Sequence, residues 1–163
     1  MANINREYLR SVIFGIEDSL VSTTGLIAGI SIGADSRRVV LLGGIVAIMV
    51  EAVSMGAGEY LSDDAVAELD KIKRHKDKPM VSGFLMFCSY LMAGLVPLLP
   101  IIIITYPSSI LVSVALALAG LFLLGFLKGK VLKTSPFKGG LKILIVGGVA
   151  TAFGLLAGYL FKI

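Results

Sequence analysis

Five blocks of apolar residues, at about 11–32, 39–61, 80–104, 110–127 and 141–161, are separated by short polar or charged connections. Each block is 18 residues or longer, enough for one helix to cross a hydrocarbon core of roughly 30 Å. A chain with this layout has few alternatives to a helical membrane bundle, because every backbone polar group inside lipid must be satisfied within its own segment. Only 16% of the 163 residues are charged, against about 25% in an ordinary soluble domain. The expected fold class is therefore an all-α membrane protein with five transmembrane helices in one domain, residues 1–163. The first block is too long for a signal-peptide core and carries Glu17 and Asp18, so it is expected to remain a span.

Lys and Arg in the connections set the expected orientation. With the N-terminus cytoplasmic, that side holds Arg6, Arg10, Lys71, Lys73, Arg74, Lys76, Lys78, Lys128, Lys130, Lys133, Lys138 and Lys142, and the other side only Arg37, Arg38 and Lys162. Topology accounts for the net charge of +4 without a nucleic-acid partner, since the basic residues flank spans and have no aromatic interleaving. The single cysteine, Cys88, excludes an internal disulfide and is expected to fill space in a span. No HExxH, phosphate loop or serine–base pairing marks an enzyme.

The connector 62–78, SDDAVAELDKIKRHKDK, has no Gly or Pro before Pro79 and is expected to extend the second helix into the cytosol. Its acidic line, Asp63, Asp64, Glu68 and Asp70, either gathers cations near the entrance or simply solvates the helix, with Asp70 and Arg74 paired across one turn. His75 sits among lysines and is expected to be exposed. Pro97 and Pro100 near the end of the third span either shape an exit or, for Pro100, end the helix before TYPSS.

Charges inside the spans are the next constraint, because an acid at the bilayer centre costs roughly 2.5 to 3.5 kcal/mol on insertion scales and calls for a protein-lined or watery home. Asp18 stands in the first span with Ser22, Gly25, Gly29 and Gly33 on the same helical face. Glu51, Met55 and Glu59 share a face of the second span at four-residue spacing, which stacks them turn upon turn. Asp18 is eight residues past Arg10, and Met55 eight before Asp63, so both lie ~12 Å inside the boundary. Were the two helices neighbours, Asp18 would face Met55, with Glu51 one turn deeper and Glu59 one turn shallower.

Carboxylates bind any hard divalent cation, while a thioether adds affinity only for softer transition metals, so this set suits Fe²⁺ or Mn²⁺ better than Mg²⁺ or Ca²⁺. The expected metal-handling residues are Asp18, Glu51, Met55 and Glu59, holding a transported ion rather than a tightly bound cofactor. The plainer reading makes Met55 core filler and Glu59 an interfacial charge. The GxxxG steps Gly25–Gly29–Gly33 and Gly154–Gly158 imply close helix packing, either within one subunit or at a homodimer seam. Five helices scarcely enclose a polar route alone, which favours the dimer.

The stretches FGIEDSLVSTTGLIAGI, EAVSMGAGEYLS and KPMVSGFLMFCSYLMAGLVPLLP resemble, in order and content, the three most recognisable segments of the vacuolar iron transporter family. The resemblance covers nearly the whole chain and implies a dimeric transporter moving Fe²⁺, often Mn²⁺ as well, out of the cytosol in exchange for protons. It matches Asp18 to the family's first-span aspartate, Met55 to its second-span methionine and Glu59 to a glutamate of the prokaryote-like branch. Vacuolar members carry their second-span carboxylate two turns before the methionine, where this chain has Ala47, and insert a metal-binding domain where this chain has only the 17-residue connector. The short connector and the lack of organelle-sorting signals point to a prokaryotic plasma membrane. The rival function is a non-transporting membrane scaffold whose acids pair with lysines of another protein.

Overall fold

The computed structural model describes residues 6–69 and 78–162. Asp70, Lys71, Lys73, Arg74, His75 and Lys76, and with them most of the connector's predicted roles, lie outside the described residues. Five helices make up the described chain: α1 (Arg6–Ala34), α2 (Arg37–Leu69), α3 (Pro79–Ile103), α4 (Ser108–Val131) and α5 (Pro136–Leu160). Each is long and apolar enough to cross a membrane; even the 24 residues of α4 rise ~36 Å. As its lack of helix breakers predicts, α2 runs past the apolar block as far as Leu69, carrying Asp63, Asp64 and Glu68 on its final turns.

Helix α1 is the hub, packing against all four others, and it is built for that place from small residues. Ser11, Gly15, Ser19, Thr23, Thr24, Gly25, Ala28 and Gly29 are all buried on it, and small side chains let neighbouring backbones come close where lipid offers no hydrophobic drive. Two of its hydroxyls are satisfied within the helix, Thr24 Oγ1 donating to Leu20 O at 2.5 Å and Ser31 Oγ to Ala28 O at 2.8 Å, as serines and threonines do inside helices.

Around this hub α2 touches α3, α3 touches α4 and α4 touches α5, while among the described residues α2 and α5 do not meet. The outer helices thus wrap three sides of α1 and leave one side open. The glycine ladder borders that opening. Gly25, Gly29 and Gly33 face Ala150, Gly154 and Gly158 of α5 in the same chain, so close that a Cβ on Gly29 would stand 2.6 Å from the Gly154 carbonyl oxygen. Both GxxxG runs are therefore used within one chain, one against the other.

The ends are tied by side chains. Arg37 at the start of α2 donates to the carbonyls of Ile101 (2.9 Å) and Ile102 (2.6 Å), two acceptors that the end of α3 leaves without helical partners. Tyr106 OH donates to Asp35 Oδ1 at 3.0 Å, joining the α1–α2 and α3–α4 turns. Burial and the neighbouring Asp35 carboxylate push the Tyr106 phenol above its ordinary pKa. Helix α3 runs through both prolines to Ile103, so Pro100 does not terminate it. The Pro97 carbonyl accepts a hydrogen bond from Ser113 Oγ of α4 at 2.5 Å.

A candidate metal path along α1 and α2

Two hydrogen bonds fix how α1 and α2, antiparallel neighbours, lie side by side. Ser11 Oγ donates to Glu59 Oε1 at 2.6 Å, and Ser22 Oγ donates to Glu51 Oε2 at 3.1 Å. Residue 55 stands midway between the two bonded acids on α2, which puts it level with residues 15–18 of α1. Glu51, Met55 and Glu59 are all half-buried, as is Asp18. The four-residue spacing thus turns a single stripe of α2 towards α1.

Glu51 has the most elaborate surroundings. Its Oε2 also accepts from the hydroxyl of Tyr90 on α3, and that hydroxyl lies 2.6 Å from Ser22 Oγ. Tyr90 is wholly buried, and its backbone carbonyl accepts from Ser19 Oγ at 2.7 Å. Asp18 stands one helical turn before Ser22 on α1, on the same face, so it lies about a turn from the level at which Ser22 meets Glu51. Three helices therefore meet at one polar knot inside the apolar bundle, with one serine and a tyrosine turned onto a carboxylate and a second serine tying the tyrosine's backbone to α1. Hydroxyl donors on one oxygen orient the carboxylate and leave Oε1 of Glu51 with no protein donor described.

Glu59 lies two turns away, ~12 Å along α2. Besides Ser11 it is held by Arg10, whose Nη2 stands 3.1 Å from Oε1. A cavity of about 890 Å³ reaches this level, lined by Arg6, Arg10, Glu17, Glu59, Ser62 and Lys128 among others. On the open side of α1 a second, largely apolar groove of about 670 Å³ runs past Ser22, Gly25, Gly29 and Gly33 to Gly154 and Gly158. The same Ser22 that bonds Glu51 lines this groove.

Among the described residues no three His, Cys, Asp or Glu side chains converge to hold a metal ion. One chain thus offers Asp18 and Glu51 on facing helices, a thioether on the same stripe of α2, and the carboxylates of Glu59 and Glu17 at the cavity. Incomplete ligation of this kind suits an ion that must be released, and leaves coordination positions for water or for a second copy of the chain.

Sequence reasoning missed Tyr90 and Ser22 as partners of Glu51. A tyrosine in the middle of an apolar span is the signal that was there to be used, because its hydroxyl seeks a partner when buried. Which partner depends on how α3 packs. Arg10 was counted only as a boundary charge, whereas it pairs with a candidate ligand.

A model of the VIT family matches residues 9–78 and 64–159 of this chain. The two matched stretches overlap at 64–78, from the last turns of α2 up to the start of α3. Vacuolar iron transporter 1 of Eucalyptus grandis is 26% identical over 212 aligned residues, covering 91% of this chain and 85% of the relative. Vacuolar iron transporter 1 of Oryza sativa subsp. japonica is 27% identical, covering 90% and 82%. Vacuolar iron transporter homolog 4 of Arabidopsis thaliana is 30% identical over 163 residues, covering 91% and 82%. The 212-residue alignment is longer than the 163 residues of this chain, so the Eucalyptus relative carries inserted residues that this chain lacks.

Proposed function

This chain belongs to the VIT family, and on that premise we propose that it moves Fe²⁺, Mn²⁺ or both out of the cytosol in exchange for protons. It is an integral membrane protein with five spans, and transport of a metal ion is what its relatives' names support. The observation that carries the finer reading is Glu51, a carboxylate deep in a span, oriented by Ser22 and Tyr90, with Asp18 one turn from Ser22 on the facing helix. A carboxylate held within a span calls for a visiting cation or a neutralising proton, and a second acid on the facing helix adds to that demand.

The proposed route begins at the α1 N-terminal end, taken as cytosolic from the Lys and Arg distribution. A hydrated ion enters the cavity at Glu59, passes Met55, where the thioether favours transition metals over harder ions, and reaches Asp18 and Glu51. Proton coupling needs no further device, because protonating a carboxylate removes the charge that binds the metal. The ion's ligand shell is completed by a second copy of the chain docked along the open side of α1. Support for this homodimer comes from the lack of a complete cage among the described residues and from the groove beside Ser22. The short connector favours the plasma membrane of a prokaryote as the setting.

Purified protein reconstituted in liposomes tests this reading. Fe²⁺ and Mn²⁺ should accumulate when a proton gradient is imposed across the vesicle wall and slow when it is collapsed. Absence of metal flux under both conditions would instead fit the scaffold alternative.

A further inference from the structure

The cavity below Glu59 is lined by Arg6, Arg10 and Lys128 against Glu17 and Glu59, an unexpected balance for the mouth of a cation path. A divalent ion arriving there finds its first carboxylate taken. Arg10 Nη2 stands 3.1 Å from Glu59 Oε1, and Ser11 Oγ donates to the same oxygen at 2.6 Å.

The two charged partners differ in freedom. The Glu59 side chain is 11% exposed, whereas that of Arg10 is 59% exposed. The acid is the sheltered, fixed member and the guanidinium the movable one. Other acceptors are already at hand for it, since Asp63 Oδ1 lies 3.6 Å from the same Nη2 and Glu7 Oε2 lies 3.5 Å from Nε. A guanidinium carries its donors in a planar fork and can keep several carboxylates at once. Arg10 can therefore release Glu59 without losing its other acidic contacts.

Building on the transporter reading, we propose that Arg10 is an exchangeable counter-ion: it neutralises Glu59 when the mouth holds no metal, and yields it to an incoming divalent cation by shifting onto Asp63 and Glu7. In this arrangement Arg10 sets the apparent metal affinity of the mouth. The cost of an unpaired carboxylate at the membrane edge is avoided between transport cycles, and a monovalent ion, with half the charge to offer, displaces the guanidinium less readily than a divalent one.

Fe²⁺ uptake by the full chain in liposomes, measured anaerobically over a range of metal concentrations at fixed pH, tests the exchange. Arg10→Gln should lower the half-saturating Fe²⁺ concentration about twofold to fivefold, the scale of a partly exposed ion pair, and Arg10→Lys should fall between it and the unaltered protein. Glu59→Gln should raise half-saturation, and adding Arg10→Gln to that variant should change nothing further. If Glu59→Gln weakens metal uptake while Arg10→Gln leaves the curve in place or moves it to higher Fe²⁺, transport through Glu59 stands and the exchange is refuted. An Arg10→Gln effect that persists without Glu59 also refutes it. If Glu59→Gln leaves the curve unchanged, Glu59 is no ligand and the exchange falls with that part of the transporter reading.

Discussion

Tyr90→Phe removes one oxygen atom from the centre of the bundle and tests whether the knot around Glu51 matters to the ion. The Tyr90 hydroxyl donates to Glu51 Oε2 and lies 2.6 Å from Ser22 Oγ, so the substitution leaves that carboxylate oxygen with Ser22 alone, at 3.1 Å. The ring remains, wholly buried as before, and no cavity larger than a hydroxyl appears. Hydrogen bonds between membrane helices average about 0.6 kcal/mol, while bonds to charged groups reach roughly 1.5–3 kcal/mol. The Glu51 bond is of the second kind, which puts the loss on the order of 2 kcal/mol and the rise in half-saturating metal at about 30-fold. The assay is Fe²⁺ uptake by reconstituted protein across a range of metal concentrations, repeated in a Glu51→Gln background, where Tyr90→Phe should add much less because the charged acceptor is already gone. An unchanged uptake curve for Tyr90→Phe, or an equal shift with and without the Glu51 carboxylate, would show that the tyrosine merely packs.

Gly29→Ala should loosen the α1–α5 contact, because the new Cβ would stand 2.6 Å from the Gly154 carbonyl oxygen; a loss of about 1–3 kcal/mol should appear as a lower melting temperature in detergent, and an unaltered melt would contradict the packing described. Met55→Leu keeps volume but removes sulfur, so competition by Mg²⁺ against Fe²⁺ should strengthen; an unchanged competition curve takes Met55 off the path. Lowering pH on the cytosolic side should weaken metal uptake from that side, since protons occupy the carboxylates the ion needs, and uptake that rises with added acid there would rule out simple competition.

How much of this was legible in the sequence varies with the kind of interaction. The helices were, because apolar blocks bounded by Arg6, Arg10, Arg37 and Lys78 leave the backbone little choice. That Asp18 and Glu51 fall within spans was legible too, because each stands inside an apolar block. The α1–α2 side of the site was half legible: four-residue spacing put Glu51, Met55 and Glu59 on one face, but the register that makes Ser11 meet Glu59 and Ser22 meet Glu51 depends on how the helices slide. Tyr90 was not legible, since its role comes from α3 leaning on α1 at Ser19, a contact between residues 71 positions apart. The partner of the Gly25–Gly29–Gly33 ladder was equally hidden, because any stripe of small residues fits it; the fold pairs it with Ala150, Gly154 and Gly158 of the same chain. Arg10 was misjudged for a physical reason, as boundary charges are counted by sign for topology and their partners across the bundle are invisible to counting.

Everything functional here rests on a carboxylate inside the membrane exchanging a metal ion for a proton. Fe²⁺ flux into proteoliposomes under an imposed pH gradient, compared between the unaltered chain and Asp18→Asn, examines that idea at its root, since the substitution keeps the side chain's shape and removes only its charge. Flux in the first and none in the second, with both proteins eluting as the same folded species, is the predicted outcome; metal uptake by Asp18→Asn at the unaltered rate would contradict it.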